Sequence, residues 1–145
     1  MALVRLRSVQ ATDMSRLTDF LKGNSLTTVG LQECLENFLI AYDESASCIG
    51  AAGYELYGKS ALLRSVAVDK GSRRSGVGRA LVEQVLRNAG KRGVRTVYLL
   101  TDTAEEYFAR LGFERIDRSH VDEAVKASPE FGECCISAQL MCKSL

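Results

Sequence analysis

Proline, tryptophan and histidine are scarce in this chain, which has one Pro, no Trp and one His in 145 residues. It also has no low-complexity tract, and hydrophobic residues make up 46% of it, which excludes a disordered chain. At this length a domain buries about two-thirds of its unfolded surface and needs no disulfide or metal to fold. We therefore expect residues 1–145 to form a single domain.

Long hydrophobic runs and an excess of one charge are missing as well. No stretch approaches the ~20 apolar residues of a membrane span, and Met1–Arg5 lacks the apolar run of a signal peptide. Nineteen basic and eighteen acidic residues leave a net charge of +1, so no global field attracts nucleic acid or membranes. We expect a cytoplasmic protein without either partner.

The five cysteines form no C-x-x-C pair, and the one histidine is His120. Structural zinc sites use spaced Cys and His ligands, so we expect no metal and reduced thiols. Binding of a thiophilic metalloid by adjacent Cys134 and Cys135 is an alternative. On a strand, however, neighbouring side chains point to opposite faces, which favours small buried apolar side chains.

Hydrophobic periodicity predicts a mixed α/β sheet in one layered domain. Asp13 stands where it would cap the first helix, and Gly93 where it would stop a long amphipathic one. Glycines within the third strand imply close packing or a bend. Strands are predicted at 3–7, 38–42, 48–54, 61–68, 94–101, 113–116 and 136–142, and helices at 14–21, 31–35, 77–92, 104–111 and 121–126.

The most informative segment is the glycine loop, Arg73–Ala80, between a buried strand and an amphipathic helix. A helix that begins there points unpaired N–H groups and the positive end of its dipole outward. Glycines let an anion approach that backbone, and the arginines add charge-assisted hydrogen bonds. The predicted ligand is a phosphate or pyrophosphate, with an ordinary glycine-rich helix start as the alternative.

Two common phosphate loops do not fit this segment. A Walker loop needs Lys-Ser/Thr after its last glycine, and a dinucleotide fingerprint needs a small residue where Leu81 stands. Arg73-x-x-Gly76-x-Gly78 instead resembles the coenzyme A pyrophosphate motif of Gcn5-related N-acetyltransferases (GNAT). Arg64–Asp69 and Tyr107–Phe113 resemble that family's fourth strand and its Phe-Tyr-x-x-x-Gly-Phe segment.

Within the family, four segments resemble short acetyltransferases found with arsenic-resistance genes, which are similar to the acetyltransferase part of N-acetylglutamate synthases. The segments are Glu55–Gly58, Leu63–Val68, Tyr98–Thr101 and Phe108–Phe113. The tail, Ser128–Phe131 and Cys135–Ala138, points the same way.

The resemblance implies a GNAT fold, with a mixed twisted sheet of six to seven strands flanked by helices. It also implies transfer of an acetyl group from acetyl-coenzyme A to the amine of a small molecule, such as an amino acid or an amino-acid-like arsenical. A catalytically silent acyl-coenzyme A sensor is the alternative function. A homodimer is one candidate for the oligomeric state of the protein.

The resemblance also implies where coenzyme A binds. Backbone groups of the fourth strand would hold the pantetheine and the thioester carbonyl, and the glycine loop would hold the pyrophosphate. The implied cofactor residues are Val66, Ala67, Val68, Arg73, Arg74, Ser75, Gly76, Val77, Gly78, Arg79, Thr101 and Phe108.

Direct transfer of an acetyl group to an amine requires positioning and oxyanion stabilisation rather than an enzyme nucleophile. Many family members protonate the leaving thiolate with a Tyr at the position of Phe108, so neighbouring Tyr107 is the candidate acid here, with water or another Tyr as the alternative acid. A core or interface aromatic is the alternative role of Tyr107. Glu55, near the end of the third strand, is the candidate base, with a solvent-facing Glu as the alternative.

Arg64 is a charge in the middle of an apolar strand, so it must point into a cleft or pair internally. We expect it to bind the carboxylate or oxyanion of the acceptor, and an internal pair with a carboxylate such as Glu55 is the alternative. Leu31 and Phe131 mark the two segments expected to complete the acceptor pocket.

Overall fold

The computed structural model describes residues 4–73, 75–131 and 137–145. Its helices are α1 (Met14–Gly23), α2 (Val77–Lys91) and α3 (Glu105–Arg110). Its strands are β1 (Arg5–Ser8), β2 (Leu39–Tyr42), β3 (Cys48–Tyr57), β4 (Ser60–Val68), β5 (Thr96–Thr101), β6 (Glu114–Arg115) and β7 (Gln139–Ser144). These strands form one mixed sheet in the order β1-β2-β3-β4-β5-β7-β6, which confirms the predicted fold class.

β4 and β5 form the parallel pair of the sheet, and they stay together only briefly. Their register covers Ser60–Leu62 against Thr96–Tyr98, although both strands continue beyond it. On its other side β4 bulges: Ala51 faces Ala67 but Gly53 faces Arg64. Ser65 lies in this bulge with φ 58°, a left-handed conformation that is rare for a non-glycine residue. β4 and β5 therefore separate beyond Leu62 and Tyr98, in the middle of the sheet.

Two glycines let the sheet pack closely on both faces, as predicted for β3. A Cβ on Gly50 would lie 2.8 Å from Leu81 of α2, and one on Gly53 would overlap the ring of Phe38. Leu81 belongs to a core cluster between the sheet and helices α2 and α3, whereas Phe38 belongs to a second cluster with α1. The helices thus cover the sheet from both sides.

Three predicted segments differ from the observed structure. The helix predicted at 121–126 is a pair of 3₁₀ turns, Arg118–His120 and Glu123–Ala127, and the one at 31–35 is the 3₁₀ turn Gln32–Asn37. Such short segments do not repay the cost of nucleating an α-helix. The last strand begins at Gln139 rather than Ile136, which lies outside the described residues together with Cys134 and Cys135.

Asp13 precedes α1 as predicted, but it does not cap that helix with its side chain. Its carboxylate accepts hydrogen bonds from Arg7 at 2.7 and 2.8 Å and from the backbone N–H of Gln10 at 2.9 Å. The Arg7 guanidinium is the main cause that lowers the pKa of Asp13. The prediction of a cap was wrong because β1 lies close enough for Arg7 to take both oxygens.

No helix in the described ranges combines the length and apolarity that crossing a membrane requires.

Candidate active site

Two adjoining cavities form one cleft. The glycine-loop cavity, about 650 Å³, lies between the end of β4, the start of α2 and helix α3. The interstrand cavity, about 550 Å³, lies where β4 and β5 separate. Both are lined by Asn24, Leu26, Val66, Ala104 and Phe108, so a molecule in one can extend into the other.

The start of α2 has the geometry of an anion site. Gly76 is the N-cap residue with φ 87°, and as a glycine it has no side chain with which to cap the helix. A Cβ on Gly76 would meet no atom within 4 Å, so the backbone faces open space in the cavity wall. Open N–H groups at the positive end of a helix dipole suit a phosphate.

Charged side chains flank this helix N-terminus. Arg73 and Arg79 line the glycine-loop cavity; Arg73 donates from Nε to the Val68 carbonyl at 3.2 Å, and Arg79 is largely exposed. Val66, Ala67, Val68 and Gly78 line the cavity as well. The Val77 side chain is buried in the core, Ser75 donates to the Ser72 carbonyl, and Arg74 lies outside the described residues.

Tyr107 lies against the glycine loop. A Cβ on Gly78 would lie 2.5 Å from the Tyr107 hydroxyl, so only glycine admits this ring beside α2. Burial raises the pKa of Tyr107, so its hydroxyl is protonated at neutral pH, as that of an ordinary tyrosine also is. Phe108 packs edge-on against Tyr107 and Phe113 and lines both cavities. The helix therefore presents both adjacent aromatics to the cleft.

Arg64 is almost fully buried, with 2% exposure, and lines the interstrand cavity. Its Nη1 lies 2.7 Å from Oε2 of Glu55, and its Nε lies 2.9 Å from Oε2 of Glu130. It also donates to the carbonyls of Val29 at 2.7 Å and Thr27 at 3.4 Å. The structure thus has the internal pair, and contact with an acceptor stays a prediction.

The two carboxylates of this cluster differ. Glu55 is buried rather than solvent-facing, with one oxygen held by Arg64 and the other accepting from the Tyr57 hydroxyl. Burial, with a smaller contribution from Glu55, raises the pKa of Glu130 to about 7 against the opposing effect of Arg64. Sequence reasoning missed Glu130, because no periodicity marks one acid between Pro129 and Phe131.

The remaining predicted residues lie beside the cleft. Thr101 lines the interstrand cavity, and its hydroxyl accepts from the Ala104 N–H at 3.0 Å, next to the start of α3. Leu31 packs in the core at 1% exposure, so contact with a substrate would require it to leave that core. Phe131 lies under the guanidinium of Arg118 and lines neither cavity.

The described thiols do not form a nucleophilic site. Burial raises the pKa of Cys34 to about 11, and it also raises the pKa of Cys48 and Cys142. Protonated thiols are poor nucleophiles. Residues 4–73, 75–131 and 137–145 hold no group of three His, Cys, Asp or Glu side chains suited to a metal ion.

Comparison with protein families finds a match over residues 35–115 to the profile described as "Acetyltransferase (GNAT) domain". The chain is 30% identical over 141 residues to an amino-acid acetyltransferase of Mycobacterium tuberculosis, which covers 92% of this chain and 76% of that protein. It is 28% identical over 124 residues to an uncharacterized N-acetyltransferase of Chlorobaculum tepidum, covering 82% and 79% of the two.

Among solved structures, the fold is similar to N-acetylglutamate synthase from Neisseria gonorrhoeae complexed with coenzyme A and N-acetyl-glutamate. The TM-score is 0.86 at 16% identity, and the match covers all of this chain but only 36% of the synthase chain. At that identity the likeness concerns the fold.

Proposed function

The chain belongs to the GNAT acetyltransferase family, and from this premise we propose that it transfers the acetyl group of acetyl-coenzyme A directly to the amine of a small molecule. The observation that carries this proposal is the continuous cleft. One end presents an open helix N-terminus for a pyrophosphate, and the other ends at a buried ion cluster between two separated strands. A donor and an acceptor can therefore meet within one site.

For the donor, we propose that the backbone at Gly76 and Gly78 holds the pyrophosphate, with Arg73 and Arg79 beside it and Arg74, Ser75 and Val77 completing the loop. The observed fit supports this, because Gly76 leaves its backbone open to the cavity. At Val66–Val68, β4 no longer pairs with β5, and its edge offers main-chain groups for the amides of pantetheine. Thr101 and Phe108 border this channel.

The proposed chemistry uses no covalent enzyme intermediate. The amine attacks the thioester carbonyl, main-chain N–H groups near Val66 stabilise the oxyanion, and the C–S bond breaks as the thiolate leaves. Tyr107 is the proposed proton donor to that thiolate, because its hydroxyl is protonated at neutral pH and its ring lines the glycine-loop cavity. Phe108 carries no hydroxyl to do so.

The proposed acceptor is an amino acid, with an amino-acid-like arsenical as the second candidate. An amino-acid acetyltransferase among the relatives supports the first, as does a structural neighbour that binds N-acetyl-glutamate. Arg64 stays in the proposed acceptor site because it lines the interstrand cavity. Two carboxylates already bind its guanidinium, so its proposed role is to hold the side chains of the acceptor site in position.

The test combines binding and turnover. Calorimetry should show acetyl-coenzyme A binding, and a thiol-release assay across the L-amino acids and simple alkylamines should show release that depends on an amine. The missing hydroxyl at Phe108 favours a second candidate function, an acyl-coenzyme A sensor. Tight binding without turnover on any amine would support the sensor and contradict the enzyme.

A further inference from the structure

Two carboxylates share one guanidinium at the wall of the interstrand cavity. Glu55 of β3 and Glu130 each pair with Arg64 of β4, at 2.7 and 2.9 Å. Among these three side chains, negative charge therefore exceeds positive whenever both carboxylates are ionised. Buried charges are stable only when compensated, so a proton or a cation is favoured at this cluster.

The two carboxylates are not equivalent as partners for such a cation. Glu55 does not line the interstrand cavity. Glu130 does line it, together with Val66 and Phe108, which also border the glycine-loop cavity. A ligand at Glu130 therefore lies in the part of the cleft that leads to the donor site.

We infer that Glu130 binds the acceptor as its ammonium ion and then accepts one of its protons. This inference rests on the proposed function. An aliphatic amine is cationic at neutral pH, whereas its lone pair must be free to attack. One proton passes from nitrogen to the Glu130 carboxylate, the neutral amine forms the C–N bond, and the C–S bond breaks. Tyr107 gives its proton to the thiolate, the nitrogen loses a second proton that restores the Tyr107 hydroxyl, and Glu130 returns its own proton to solvent.

The ionisation of Glu130 suits this role. Its pKa of about 7 has burial as the first cause and Glu55 as a second, while Arg64 opposes both. The other titratable groups of this cluster are Tyr57 of β3, bonded to Glu55, and Cys34 of the turn Gln32–Asn37. A proton acceptor works best with a pKa near the operating pH. The carboxylate form dominates only above about pH 7, so activity should rise through that pH.

The deciding experiment measures kcat/KM from pH 5.5 to 10 with the best acceptor from the amino-acid panel. We expect the wild-type profile to rise through about pH 7 and to fall above the pKa of the acceptor's own amine. Glu130→Gln should lower kcat/KM about 100-fold or more and lose the rise near pH 7, with acetyl-coenzyme A affinity unchanged within about twofold. Glu123→Gln, at an exposed acid, should behave as wild type.

A second measurement is independent of turnover. The pKa of Glu130 is raised in the folded state, so its contribution to stability is fully present below the unfolded value, 4.5, and is lost as pH rises through about 7. The Tm of wild type should therefore fall more between pH 5 and 8 than that of Glu130→Gln. Identical slopes would overturn the assigned ionisation.

Full activity of Glu130→Gln with an unchanged pH profile would overturn the inference and leave the proposed function standing. A wild-type protein without turnover on any amine would overturn both.

Discussion

The two ends of the cleft are built in different ways. The anion-facing part of the glycine-loop end is backbone from one short stretch, Gly76–Gly78, whereas the proposed acceptor end, at the interstrand cavity, joins side chains of β3, β4 and the segment after Ser128 through the pairs of Arg64 with Glu55 and Glu130. The first end needs glycines at fixed spacing, and the second needs distant charges to meet in the core. A site made of backbone thus leaves a pattern in the sequence, and a site made of side chains leaves much less.

The two ends also differ in their link to stability. Arg79 beside the glycine loop has 63% of its side chain exposed, whereas the side chain of Arg64 is fully buried between carboxylates. Exposed charges contribute little to folding, but removal of one partner from a buried cluster leaves the others uncompensated. Substitutions at the acceptor end should therefore affect folding as well as activity.

The largest effect is expected from Arg64→Met, which would leave Glu55 and Glu130 buried without their guanidinium. We expect a loss of about 3–5 kcal/mol in the free energy of unfolding at pH 8, measured by urea denaturation, and a smaller loss at pH 5.5. Arg79→Met is the matched control and should stay within about 0.5 kcal/mol of wild type. Equal stability of the two variants would remove the contrast between the ends.

An intermediate effect is expected from Gly76→Val at the backbone-built end. The new side chain would project into the space proposed for the pyrophosphate, so acetyl-coenzyme A should bind about 10- to 100-fold more weakly by calorimetry. Gly58→Val is a close control, because both glycines have positive φ and open space around the added Cβ. Both variants should lose similar stability, about 1–3 kcal/mol. Unchanged affinity in folded Gly76→Val would contradict the assigned pyrophosphate site.

The smallest effect is expected from Tyr107→Phe, on α3 in the wall of the glycine-loop cavity. A thiol with an ordinary pKa of about 8.5 leaves readily, so the loss of the proton donor should lower kcat about tenfold or less and leave acetyl-coenzyme A affinity unchanged. Adding Phe108→Tyr should restore part of kcat, since that ring also lines the cleft. If Tyr107→Phe kept full kcat over the whole pH range, Tyr107 would be only a packing residue.

The sequence predicted the fold better than it predicted the residues of the proposed acceptor site. Strong periodicity located β4 and α2, and glycine spacing located the loop between them. The partners of Arg64 are a different matter, because Glu55 and Glu130 are brought to it by a sheet register and by an irregular segment. The sequence required a partner for Arg64 and offered Glu55, but nothing local to Glu130 revealed that it lies in the core. The 3₁₀ turns were not predicted for a similar reason, because segments this short show no hydrophobic periodicity.

Because β4 separates from β5, one side of β4 forms a strand edge in the middle of the sheet. An exposed strand edge usually invites another protein chain to add a strand, with the attendant risk of aggregation. Here the stretch after Leu62 is enclosed by the segment Asn24–Thr27 and by the start of α3, which line the same cavity. A folded partner cannot reach it, but a single thin flexible molecule can. The fold thus leaves main-chain hydrogen-bonding groups of β4 available, but only to ligands about as narrow as one extended chain.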